Sequence, residues 1–115
     1  MSELGMDEYQ CRSFSTAVYP EKGTGSILAI CYVALGLGES GELQGKVKKV
    51  LRDNNMVLTE EVRQALKKET GDLLWYVAAM ATELDFTLSE IAGDNLDKLF
   101  SRKERGVIQG SGDDR

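Results

Sequence analysis

The chain has 115 residues, with 14 Lys and Arg against 19 Asp and Glu and a net charge of −5. That length supports one domain with a small core, and the acidic balance excludes nonspecific nucleic-acid binding, which needs a basic surface. There is no His, which excludes Ser-His-Asp and Cys-His nucleophile systems and the Glu-x-x-His di-iron bundle.

No run of 18 apolar residues occurs, so no membrane span is expected. The stretch Met1-Ser-Glu-Leu-Gly-Met-Asp-Glu8 is acidic and lacks a signal-peptide core, so the expected location is cytoplasmic. Cys11 and Cys31 fit no metal spacing and read as free, buried thiols.

In chain order, the pattern predicts a first helix from Asp7 to about Val18, with Tyr9, Phe14, Ala17 and Val18 as apolar contacts. Pro20, the one proline, stops it, and Glu21-Lys-Gly-Thr-Gly25 is a loop. A second helix is expected from about Ser26 to Leu51, apolar in its first half and ending in Lys46, Lys48, Lys49 and Arg52. Lys46 stands four residues after Glu42, so an ion pair between them is expected. Thr59 is a suitable N-cap for a third helix reaching about Leu84, with Glu60 and Glu61 in its first turn. That helix is apolar on most sides, which calls for more than one neighbour; in a short chain one neighbour comes from a second subunit. Thr87-Leu-Ser-Glu90 is a capping box that opens a fourth helix. The tail from Gly106 to Arg115 is Gly-rich and expected to be mobile without ligand. The fold class is therefore all-α: a four-helix-type bundle over residues 1–105, followed by the tail over residues 106–115.

Two pairs of carboxylates interrupt this pattern. Glu39 and Glu42 are three residues apart, as are Glu69 and Asp72, so each pair shares a helix face. Glu39 continues the apolar stripe of Leu28, Tyr32 and Leu35, and Glu69 sits inside the stripe of Val62, Leu66, Leu73 and Tyr76. Acids at apolar positions need protonation, basic partners or a bound cation. Hard oxygen donors without His or thiolate suit Mg²⁺, or Mn²⁺. The plainer alternative is four acids on a solvated face. Gly36, Gly38, Gly41 and Gly71 are costly in helices and are explained where a helix or ligand approaches closely. Asn95 and Lys98 share a face that either contacts phosphate or is an ordinary polar surface. Phe14, Tyr19, Trp75 and Tyr76 are available for stacking on a base, with Gln10 or Asn54 for an edge contact; alternatively these aromatics are core or subunit interface.

The ordered combination of Glu39-Ser-Gly-Glu42, a 26-residue gap and Glu69-Thr-Gly-Asp72 closely resembles the MazG-like nucleoside triphosphate pyrophosphohydrolases, the all-α NTP pyrophosphatases. Asn95-Leu-Asp-Lys98-Leu99 with Arg102-Lys-Glu-Arg105-Gly106 is similar to the family's later segment, and Thr16-Ala-Val-Tyr19-Pro20 looks like its small phage and bacterial members. The resemblance implies Mg²⁺-dependent hydrolysis of an NTP or dNTP between the α and β phosphates, clearing or editing a nucleotide pool. It implies that Glu39, Glu42, Glu69 and Asp72 bind metal and carry catalysis, and that Asn95, Lys98, Arg102, Arg105 and Arg115 hold phosphates. Gln10, Phe14, Tyr19 and Trp75 form the candidate base pocket. The resemblance also implies a homodimer or homotetramer, that is, a dimer or a dimer of dimers. The rival readings on the same scaffold are a non-catalytic nucleotide or metal sensor and a helical interaction module.

Overall fold

The structure, a computed structural model, describes residues 3–53 and 55–114, all of them helix, turn or loop with no strand among them. Five α-helices run in order: α1 Met6–Phe14, α2 Ile27–Gly36, α3 Ser40–Asp53, α4 Glu60–Glu83 and α5 Leu88–Glu104. A 3-10 turn, Leu37–Glu39, joins α2 to α3.

The single helix expected from Ser26 to Leu51 is thus three segments. Gly36 and Gly38 flank Leu37 in the joint, and each weakens the α-helix by about 1 kcal/mol relative to Ala. The backbone stays right-handed, with φ/ψ of −63°/−27° at Gly36 and −63°/−11° at Leu37, but winds more tightly there. The first helix also ends earlier than expected, at Phe14. Ser15 and Thr16 turn their hydroxyls back to donate to the carbonyls of Arg12 (2.6 Å) and Ser13 (2.7 Å), which competes with further helix.

The predicted caps form. Thr59 accepts from the Val62 amide at 3.2 Å. Thr87 and Glu90 make the reciprocal capping box, at 3.0 and 3.1 Å. Helix α4 ends in a Schellman motif, with Asp85 left-handed (φ 62°) and the Phe86 amide donating to the Ala81 carbonyl at 2.9 Å.

Helix α4 is the centre: α1, α2, α3 and α5 all pack on it, and α5 also touches α1. The buried apolar side chains are small, namely Ala17, Ala29, Val33, Ala78, Ala79, Ala81 and Leu88. Helix α2 meets α4 through Ala29, Val33 and Gly36, at i, i+4 and i+7. At Gly36 the Tyr76 ring lies so close that a Cβ would be 2.0 Å from it. This is the close approach expected of that glycine. Gly38, Gly41 and Gly71 have open space where a Cβ would stand.

The expected stripe of Leu28, Tyr32 and Leu35 is not the buried one. It lies on the open side of α2, and Leu35 is 78% exposed. Cys11 and Cys31 are likewise exposed, because α1 and α2 turn their alanine and glutamine faces inward and leave the thiols outside. No helix of the described residues is long and apolar enough to cross a membrane.

Candidate metal centre

The turn at Leu37–Glu39 and the first turn of α3 carry Glu39 and Glu42 toward the middle of α4, where Glu69 stands. One oxygen from each of these three carboxylates lies within 4.8 Å of the other two. Glu39 and Glu69 are half-buried and Glu42 is exposed. Glu69 is the most enclosed: its Oε2 is shielded from solvent and has no hydrogen-bond partner. A shielded carboxylate oxygen without a donor costs free energy that a cation would recover. The donor set is all carboxylate oxygen, the chemistry that Mg²⁺ or Mn²⁺ takes. The residues therefore fit a hard divalent cation.

Asp72 stands apart from the three. It lines, with Glu39, an adjoining cavity of about 700 Å³ whose walls are Tyr9, Thr16, Val18, Tyr19, Tyr32, Gly71, Trp75 and Tyr76. Partial burial and the Asp72 carboxylate push the Tyr9 phenol above its ordinary pKa. The expected gathering of four mutually facing acids is thus three acids plus one on the cavity wall. Lys46 does not pair with Glu42. Its ammonium reaches across to α4, 3.7 Å from Glu69 Oε1.

The aromatic wall is held from behind. Trp75 Nε1 donates to Thr16 Oγ1 (2.8 Å) and to the Ser13 carbonyl (3.2 Å), which fixes the indole against the end of α1. Tyr19 and Tyr76 meet it edge to face, at 6.4 and 5.1 Å. The result is an apolar slot bordered by carboxylates, with room for a planar ring beside a cation.

The MazG nucleotide pyrophosphohydrolase domain matches residues 31–107, which span both acid pairs and α5. The chain belongs to the MazG nucleotide pyrophosphohydrolase family. It is also 53% identical over 114 residues to the gene 37 protein of Mycobacterium phage L5, covering 97% of this chain and all of that one. No solved structure matches it.

The residues expected on phosphate by resemblance to MazG proteins are not gathered at the acids within one chain. Helix α5 packs on α1 and α4 and touches neither α2 nor α3. Asn95 and Lys98 line a separate groove of about 320 Å³ with Phe86, Glu90, Ile91 and Asp94. Arg102 is 5% exposed and covered by the tail, donating to the carbonyls of Asp113 (2.8 Å) and Gly112 (3.4 Å). The Asp113 carboxylate sits 3.7 Å from Arg102 and 3.8 Å from Lys98. Arg105 is exposed on the last turn, with its Nε on Ser101 Oγ at 3.1 Å. Arg115 and Asn54 lie outside the described residues.

Of the candidate base contacts, Tyr19 and Trp75 line the cavity. Phe14 does not; it packs edge-on against Tyr19 at 6.4 Å. Gln10 is not among the cavity-lining residues and acts as a structural clamp. Its buried amide donates to Phe86 O (2.9 Å) and Thr82 Oγ1 (3.1 Å) and accepts from the Leu88 amide (2.7 Å), so both its N–H groups are engaged between α1 and the α4–α5 connection.

The sequence reading missed Glu83. It is 4% exposed, accepts from the Tyr19 hydroxyl, and takes the Gly23 and Gly25 amides at 2.7 and 2.9 Å. Burial alone would push its carboxyl up, but these hydrogen bonds outweigh burial and hold it below the usual carboxylate range. The signal was present: Glu83 continues the stripe that contains Glu69 and Tyr76, seven residues after the latter.

Proposed function

We propose that the chain hydrolyses a nucleoside or deoxynucleoside triphosphate between the α and β phosphates, releasing the monophosphate and pyrophosphate. The observation that carries this reading is the juxtaposition of a three-carboxylate cluster with an aromatic slot on one wall of α4. Family membership supplies the reaction class.

In this reading Glu39, Glu42 and Glu69 hold the cation, Mg²⁺ in preference to Mn²⁺. Asp72, at the border of cluster and slot, joins them or orients the attacking water. When bound, the cation supplies phosphate charge neutralisation and an acidified water. Trp75 and Tyr19 present their rings and edges to the base. Burial and its hydrogen bond to Glu83 push the Tyr19 phenol up, so the ring is held as a neutral hydrogen-bond donor to that carboxylate. Asn95 donates to the β and γ phosphates and Lys98, Arg102 and Arg105 neutralise their charge, which lowers the energy of the leaving pyrophosphate. Because α5 does not reach its own cluster, these cations come from a second copy, so the working unit is a dimer or a dimer of dimers. The biological role is clearing or editing a nucleotide pool.

Glu42→Gln tests the acid set. It is exposed and removes one charge, so the fold is kept, turnover is abolished and the Mg²⁺-induced rise in melting temperature shrinks. An active Glu42→Gln enzyme removes Glu42 from the ligand set.

A further inference from the structure

Among the described residues, Lys46 is the basic side chain that forms an ion pair with the acid cluster. We propose that Lys46 is a positioning residue that stands in for the cation: it holds Glu69 toward Glu39 and Glu42 while no metal is bound, and it competes with the metal for that carboxylate. The inference rests on reading these three acids as a cation cage.

Three features of the pair point this way. The first is its target. Glu69 is the most enclosed of the three acids, with a side chain 13% exposed, and repulsion from Glu39 and Glu42 would turn it away if nothing positive stood nearby. The second is its length. At 3.7 Å the contact is an ion pair without a hydrogen bond, so little is lost when Glu69 turns its charge to another cation. The third is the lysine's own position. Its side chain is 41% exposed at the rim of the cluster, so its ammonium can return to water without unfolding α3.

A lysine that stayed at the rim would repel the incoming cation; one that left would give up its attraction to Glu69. Either way it lowers the affinity for free metal. The cage then fills most readily when a phosphate ligand brings further negative charge to the cation.

The test uses the full chain without nucleotide, titrated with Mn²⁺ and followed by electron paramagnetic resonance, beside melting temperatures without metal. Lys46→Met should melt below wild type when metal-free and should bind Mn²⁺ about three- to tenfold more tightly. Lys46→Arg, which keeps the charge, should restore both values. A Lys46→Met dissociation constant within about twofold of wild type, or weaker, overturns the role, because a screened surface ion pair with no competing function would leave it there. If Lys46→Met does not fold, Lys46→Gln is held to the same thresholds. Absence of Mn²⁺ binding by wild type and Lys46→Met alike, or Glu69→Gln protein that binds it unchanged, overturns the cage reading itself and this inference with it. Wild-type binding that survives with Lys46→Met unchanged overturns Lys46 alone.

Discussion

At the scale of single residues, two acids on α4, Glu69 half-buried and Glu83 buried, do opposite things. Glu69 has a shielded oxygen with no donor, whereas Glu83 has three donors and no metal chemistry. Glu83 fixes the loop before α2, since the Gly23 and Gly25 amides close on its carboxylate and both glycines are left-handed (φ 81° and 70°). Glu83→Gln would turn an amide N–H toward these donors and should cost about 2–4 kcal/mol, read by chemical denaturation. The pH dependence follows from the sign of the shift. A carboxyl held low contributes stability that is fully present above its unfolded pKa, about 4.3, and is lost as pH falls through the lower folded value. The gap in melting temperature between wild type and Glu83→Gln should therefore be full at pH 7 and narrow toward pH 3.

At the scale of elements, the joint between α2 and α3 decides where the acids go. The 3-10 turn places Glu39 beside Glu42 and Glu69, and Gly36 lets α2 lie against the Tyr76 ring. Gly36→Ala gains about 1 kcal/mol of helix preference but meets that ring, and overpacking costs about 1–3 kcal/mol. The net should be a loss of stability. Gly45→Ala, on α3 with open space around it, should gain about 0.5–1 kcal/mol by the same preference. A denaturation midpoint that rises for Gly36→Ala as it does for Gly45→Ala would contradict the packing at Gly36.

Much of this level was legible in the sequence, because caps and acid spacing are local signals. Thr59, the Thr87–Glu90 box and the two acid pairs depend on neighbours within four residues. The long-range bonds of Gln10 and Lys46 were not legible for the reverse reason. The partners of Gln10 lie 72 to 78 residues away, and Lys46 passes over Glu42, four residues before it, to reach another helix. The α2 stripe was misread because small residues, not large ones, make the buried face.

At the scale of the whole molecule, one chain is more open than a compact monomer of its length. Its accessible surface is 8465 Å², against about 6,200 Å² for a compact monomer of this mass. Its radius of gyration is 17.1 Å, against about 13 Å for a compact chain of this length. Ile27, Leu28, Tyr32 and Leu35 of α2 and Leu74 and Val77 of α4 are exposed apolar side chains and a candidate interface. A second copy is expected to cover it, given that a standard interface buries about 800 Å² per partner. Light scattering after size exclusion should give a mass at least twice 12.7 kDa for wild type and a smaller mass for Leu35→Glu. A monomeric wild type would remove the subunit-crossing role given to α5.

The most direct test of the central claim is a set of reactions with each NTP and dNTP and Mg²⁺, with products resolved by chromatography. The account predicts nucleoside monophosphate and pyrophosphate in equal amounts from at least one nucleotide. Nucleoside diphosphate with inorganic phosphate would contradict cleavage between the α and β phosphates, and no turnover of any nucleotide would contradict the catalytic reading of the three carboxylates.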